Sequence, residues 1–159
     1  LDHMLTLFSR HGLIDVTLKC SGDTEVDYHH TVEDIGLALG TAFDKALGDR
    51  RGIRRYGFFL LPMDESLCEI AIDLGGRPFL VYSTSVESTF VRDFDTRLFE
   101  EVLRPLSVKA RLDLHVRHTG GNEAHHAAES ILKGFARALR MAVEIDPRET
   151  GIPSSKGVL

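Results

Sequence analysis

One motif occurs twice in this chain, and the repetition constrains the fold more than any single segment does. His29-His30-Thr31-Val32-Glu33 and His125-His126-Ala127-Ala128-Glu129 both read His-His-x-x-Glu, 96 positions apart. Each is followed by a helical pattern rich in small residues. On a helix, residues i and i+4 share a face. His29 with Glu33, and His125 with Glu129, can therefore each grip one metal ion. The second histidines, His30 and His126, point about 100° away and are free for another ion or a neighbouring subunit's ion. Four imidazoles and two carboxylates suit a borderline transition metal such as Mn, Fe or Zn.

The duplication extends beyond the motif. A displacement of 98 lays Asp2-His3-Met4-Leu5 on Glu100-Glu101-Val102-Leu103, Ile14–Leu18 on Leu112–Val116, and Gly22 on Gly120. A two-residue gap then brings the displacement to 96, and Gly36, Leu39, Ala42 and Ala46 meet Leu132, Phe135, Ala138 and Ala142. So long a period points to two fused half-domains, 1–66 and 67–159, rather than a solenoid. His3 and Glu101 become equivalent, and each is a candidate for one further ligand in its half.

The 159 residues allow one domain with a real core. A net charge of −5, with no basic stripe, argues against nucleic acid as a partner. Cys20 and Cys68 form no Cys-x-x-Cys motif, which fits a reducing, cytoplasmic setting. No apolar run of about 18 residues marks a membrane span.

Periodicity predicts a short helix over 2–10, a half-buried strand over 13–20 and a helix over 29–47. It then predicts a strand over 53–61 and a β-hairpin of 67–74 and 78–83 around Gly75-Gly76. A short helix over 94–106, a strand over 111–118, a long helix over 123–143 and an irregular tail from 146 complete the chain. Gly36 and Gly40 lie on the His29–Glu33 face at roughly 1 kcal/mol of helix stability each, which predicts close packing, plausibly against the repeat partner. The hairpin of the second half has no counterpart in the first, so the repeat predicts one of roughly 30 residues encoded ahead of Leu1. The expected class is α+β: an internally duplicated βαβ-type unit, its helices on one face of a mixed sheet in each half and so sandwiched between sheets.

Asp2-His3-Met4-Leu5, His29-His30-x-x-Glu33-Asp34, Gly75-Gly76-Arg77-Pro78, His125-His126-x-x-Glu129 and Pro153-Ser154-Ser155-Lys156-Gly157-Val158-Leu159 together resemble the imidazoleglycerol-phosphate dehydratase family. The resemblance covers the whole chain in order. It implies helices packed between two mixed four-stranded sheets, a 24-subunit assembly and two Mn²⁺ per active site at subunit contacts. The implied metal ligands are His3, His29, His30, Glu33, His125, His126 and Glu129, with Glu101 where the family often has histidine. Arg55, Arg77, Lys133, Ser155 and Lys156 match positions that contact the phosphate substrate; composition alone would make the two arginines ordinary surface charges. The family also carries a substrate-contacting glutamate in the segment ahead of Leu1.

The implied reaction removes water from imidazoleglycerol phosphate to give imidazoleacetol phosphate in histidine biosynthesis. The C2 proton of the glycerol arm is poorly acidic, since no carbonyl adjoins it. Cations on the imidazole nitrogens would stabilise the ring as imidazolate, which can expel the C3 hydroxyl. A carboxylate base is then needed, with Glu33, Asp34, Glu129 and the upstream glutamate as candidates. His118 reads as a surface histidine, and His115 as a core or sheet-surface one. Two other readings compete: a non-catalytic di-metal storage protein and a metallohydrolase. A storage protein has no need of the cationic set Arg55, Arg77, Lys133 and Lys156, and a hydrolase would not release an imidazole ketone.

Overall fold

The computed structural model describes residues 1–87 and 90–159. In chain order it contains α1 (Asp2–Gly12), α2 (His29–Leu47), β1 (Tyr56–Met63), β2 (Ser66–Asp73), β3 (Phe79–Ser83), β4 (Phe90–Val91), β5 (Phe94–Asp95), α3 (Leu98–Ala110), β6 (Asp113–Thr119) and α4 (Ala124–Val143). Among the described residues no helix is long and apolar enough to cross a membrane.

The repeat is written into the helix ends. α1 stops at Leu13 and α3 at Arg111, both left-handed, with φ of 53° and 51°. Each cap N–H returns to the carbonyl of an equivalent serine, Ser9 or Ser107. The next amide follows it, Ile14 N–H to Ser9 O at 3.2 Å and Leu112 N–H to Ser107 O at 3.1 Å. This doubled return satisfies carbonyls that a helix end leaves unpaired. The long helices begin alike. Asp27 accepts the His29 N–H at 2.8 Å, and its repeat equivalent Glu123 accepts the His126 N–H at 2.7 Å.

The helices pair crosswise, α1 on α4 and α2 on α3. Gly36 and Gly40 explain the second pairing. A Cβ on Gly36 would strike the Val102 carbonyl, and one on Gly40 would lie 2.6 Å from the Leu106 carbonyl. The glycine face of α2 therefore receives the backbone of α3, and not its repeat partner α4 as the sequence suggests. Pro105, inside α3, also rests against Gly36.

The main sheet runs β1-β2-β6-β3, antiparallel except for β3 beside β6. The stretch from β3 through α3 to β6 is thus a parallel crossover unit. Pro62 sits on the edge strand β1, where its missing N–H is tolerated. α4 covers one face of β1 and β2, and the core between them contains Cys68, Ile70, Ile72, Leu114, Val116, Ile131, Phe135 and Leu139. A buried Arg50, 2 % exposed, ties this layer to the helix pair: it donates to the carbonyls of Leu74, Ala110 and Arg111 and pairs with Asp44 at 2.7 Å.

The α+β class is as expected, but several expected details differ. The predicted 67–83 hairpin does not form, because β6 inserts between β2 and β3. Among the described residues there is one four-stranded sheet and the two-stranded β4-β5 ribbon, not two four-stranded sheets. Segment 13–20 keeps the predicted alternation, with Ile14, Val16 and Leu18 half-buried and the residues between them exposed, yet among the described residues it pairs with no strand. Alternation reports which face is buried; a strand also needs a neighbour to accept its hydrogen bonds. β1 starts at Tyr56, since Arg55 takes a left-handed φ of 70°.

Gly36→Ala would raise helix propensity by roughly 1 kcal/mol but press a methyl group into main chain that cannot yield, an overpacking penalty of about 1–3 kcal/mol. The second effect is larger. Gly36→Ala is expected to lower the urea midpoint, whereas Ala38→Gly, on the exposed face of α2, should lower it by only the propensity difference.

Candidate metal centre

Three of the predicted ligands meet. α1 contributes His3, while α4 contributes His125 and Glu129, so the crosswise packing of the helices is what builds the group. The Nε2 atoms of His3 and His125 converge on one oxygen, Glu129 Oε1, at 2.9 and 3.0 Å. Their rings stack with centroids 5.8 Å apart. Lys133, one turn along α4, holds Glu129 Oε2 at 2.5 Å. Glu129 is only 7 % exposed. Burial alone would raise its carboxyl, but the Lys133 ammonium and the His3 hydrogen bond outweigh that and hold it down at about 2.

This donor set suits a cation. Metal–nitrogen and metal–oxygen bonds of about 2.1 Å at right angles place ligand atoms about 3 Å apart, which is the spacing seen here. A cavity of about 410 Å³ borders the group, lined by His3, His125, Met4, Phe94, Phe99 and Ala128 among others.

The other predicted ligands lie apart from this group. His126 belongs to a second cluster, with Asp64 and Glu65 from the β1–β2 turn. Its Nδ1 is 2.9 Å from Glu65 Oε2. Asp64 and Glu65 were not anticipated from sequence. The repeat could not flag them, since the displacement of 96 carries both positions past Leu159 and so gives them no counterpart. The one available signal was an adjacent acidic pair at the tip of a tight turn between apolar strands. His29 and His30 start α2, with His30 Nδ1 3.2 Å from Asp23 Oδ2. Glu33 and Asp34 are exposed on the first turns of the same helix. Glu101 is half-buried on α3 and joins neither ligand cluster.

The predicted phosphate-binding residues also divide. Lys133 sits at the metal group. Arg55 binds Asp73 through both carboxylate oxygens, at 2.7 and 3.0 Å, and donates to the Pro153 carbonyl at 2.9 Å. Arg77 is exposed beside Asp113, and Ser155 and Lys156 are exposed in the tail. The tail closes back on this end of the sheet, with the Leu159 backbone against Gly76. His115 faces outward on the sheet surface. His118, expected at the surface, is instead 2 % exposed, because its position on β6 points toward α4. Thr84 and Ser85 lie within 3.4 Å of its Nδ1, and burial pushes its pKa down.

A family model described as imidazoleglycerol-phosphate dehydratase matches residues 1–139. The chain belongs to the imidazoleglycerol-phosphate dehydratase family. The dehydratase of Methylorubrum populi is 58 % identical over 160 residues, spanning 100 % of this chain and 82 % of that protein. That of Gluconacetobacter diazotrophicus is 50 % identical over 99 % of this chain and 80 % of its own length. The crystal structure of the dehydratase from Staphylococcus aureus superposes with a TM-score of 0.84 at 37 % identity, covering 91 % of this chain and 82 % of that one. The fold is thus that of the dehydratase family.

A carboxyl held at about 2 in the folded chain, against 4.5 ordinarily, contributes stability that is complete above about pH 4.5 and lost as the pH falls toward 2. Metal-free wild type and Glu129→Gln should therefore differ in thermal midpoint near neutral pH, and the gap should close between pH 4.5 and 2. A gap independent of pH across that window would contradict the ion-pair account.

Proposed function

We propose that this chain is a metal-dependent hydro-lyase that converts imidazoleglycerol phosphate to imidazoleacetol phosphate in histidine biosynthesis. The observation that carries this reading is the convergence of His3, His125 and Glu129 in a member of the dehydratase family. His3, His125 and Glu129 would hold one Mn²⁺, and His29, His30, Glu33 and His126 are the donors for a second. When bound, the metal supplies Lewis acidity that draws electron density from the substrate's imidazole.

The chain's own groups supply the rest. The reaction removes the C2 proton and the C3 hydroxyl together as water. Both oxygens of Glu129 are engaged, Oε1 by two imidazoles and Oε2 by Lys133. Of the three candidate carboxylates within the chain, that leaves the exposed Asp34, or Glu33 where the metal does not hold it, as the acceptor for the C2 proton. Lys133 is poised at the metal group to meet an anionic substrate. Arg55, Arg77, Ser155 and Lys156 gather at the other end of the sheet and suit the phosphate.

The site is shared between chains. Lys133 Nζ touches Met63 Sδ at 3.6 Å at the end of β1, whereas Arg55 precedes its first residue. Eight strand residues separate these ends by about 25 Å, farther than a small substrate reaches. Phosphate-binding groups of one chain must then serve the metal group of another. The outer sheet face supports self-association, since Tyr56, Phe58, Leu60, Phe79 and Val81 are all 39–69 % exposed there. We take that assembly to be the family's 24 subunits and its setting to be the cytoplasm, where the thiols of Cys20 and Cys68 would stay free.

The full-length protein should form the ketone from imidazoleglycerol phosphate only when Mn²⁺ is restored after chelation, with His125→Ala inactive. Metal binding without product would sink the lyase reading. Arg55→Ala and His125→Ala should each be inactive alone, yet mixed assemblies of the two should regain activity. A site confined to one chain would stay inactive in every mixture.

A further inference from the structure

We infer that Asp23 and Glu65 are positioning residues: each holds Nδ1 of the second histidine of its pair and so presents Nε2 as the metal-binding atom. The inference rests on the metal-dependent reading above and adds to it the groups that orient two of the ligands. Neutral imidazole carries one N–H, and a carboxylate at Nδ1 selects the tautomer with the proton there. Nε2 is then left with its lone pair, ready for a cation.

The contact occurs in both halves. His126 Nδ1 lies 2.9 Å from Glu65 Oε2, and its repeat equivalent His30 has Nδ1 3.2 Å from Asp23 Oδ2. The carboxylates are not equivalent to each other. Asp23 comes from the loop before α2, Glu65 from the β1–β2 turn. The same contact is therefore reached from two unrelated places in the chain, which inheritance from a duplicated ancestor does not explain. His3 and His125 also direct Nε2 into their own site, so these four of the five proposed imidazole ligands would share one mode.

The surroundings of His126 fit this role. Its outward Nε2 is 3.7 Å from Asp64 Oδ2 and 3.8 Å from Glu123 Oε2: it faces carboxylates, beyond hydrogen-bonding distance. The loop before α4 presses on the turn that carries Glu65. A Cβ on Gly121 would come within 2.7 Å of Glu65 Cγ and 2.9 Å of Ser66 Oγ. The His126 amide is meanwhile held by Glu123, so both its backbone and its ring are fixed. The His30–Asp23 pair is well exposed, at 68 % and 46 % of the side chains. Such pairs add little stability, which leaves orientation as the effect to measure.

The test is Mn²⁺ titration of the full-length protein, followed by electron paramagnetic resonance of the free ion, with circular dichroism to confirm folding. Glu65→Ala should weaken one class of Mn²⁺ sites by about 10–100-fold. Glu65→Gln, whose amide oxygen still accepts from Nδ1–H, should recover most of the loss. Asp23→Ala and Asp23→Asn should behave in parallel. Wild-type affinity in Glu65→Ala would overturn the assignment, and so would a Glu65→Gln variant as weak as the alanine one. A wild-type protein that binds no Mn²⁺ would instead remove the metal reading itself, and this assignment with it.

Discussion

The site depends on one buried carboxylate. Glu129 is nearly sealed from water, and an isolated charge there would be strongly unfavourable. It is tolerated because three donors from two helices converge on it: His3 from α1, and His125 and Lys133 from α4. Those helices come from opposite halves of the duplication. The group that would hold the metal is therefore also the polar link across the repeat, set beside apolar contacts such as the stacked Phe8 and Phe135 rings at 5.4 Å. Displacing α1 would expose an unbalanced carboxylate as well as dismantle a ligand set.

The sequence made the helices legible, and for a physical reason. Helical signals are local: the Asp27 and Glu123 caps, the Gly48 stop and the 3.6-residue apolar stripe all act within a few residues. α2 spans His29–Leu47 as periodicity predicts, and α4 starts one residue from its predicted limit. Sheet order is not local. Nothing near Gly75-Gly76 indicates that a strand forty residues later takes the place between β2 and β3. The same lack of non-local information hid His118, whose burial follows from the face of β6 that α4 covers. Segment 13–20 shows the converse case, in which the local pattern is right and the pairing partner is not there to complete the strand.

The site was legible to the extent that the repeat covered it. Aligning the halves set His3 opposite Glu101 and so drew attention to a histidine on a helix far from either motif. Symmetry of sequence did not guarantee symmetry of structure, though. His3 joins His125 and Glu129, while Glu101 does not come into a matching group with His29 and Glu33. Asp64 and Glu65 could emerge only from the fold, since the β1–β2 turn reaches His126 across 61 residues of sequence.

The main sheet also sets a length scale. β1 carries Arg55 at one end and reaches the metal group at the other, and an extended strand cannot be shortened. Asp73 and the Pro153 carbonyl fix the Arg55 guanidinium at its own end, so side-chain flexibility does not close the gap. On the proposed assignment of Arg55 to the phosphate, a small phosphorylated substrate would engage both chemistries only where a second chain brought its Arg55 end to the first chain's histidines. The exposed aromatic and aliphatic rows on the free sheet face then have a use, since covering them between chains supplies the apolar burial that such an arrangement requires. If the site is divided as proposed, assembly would be a condition for catalysis rather than an addition to it.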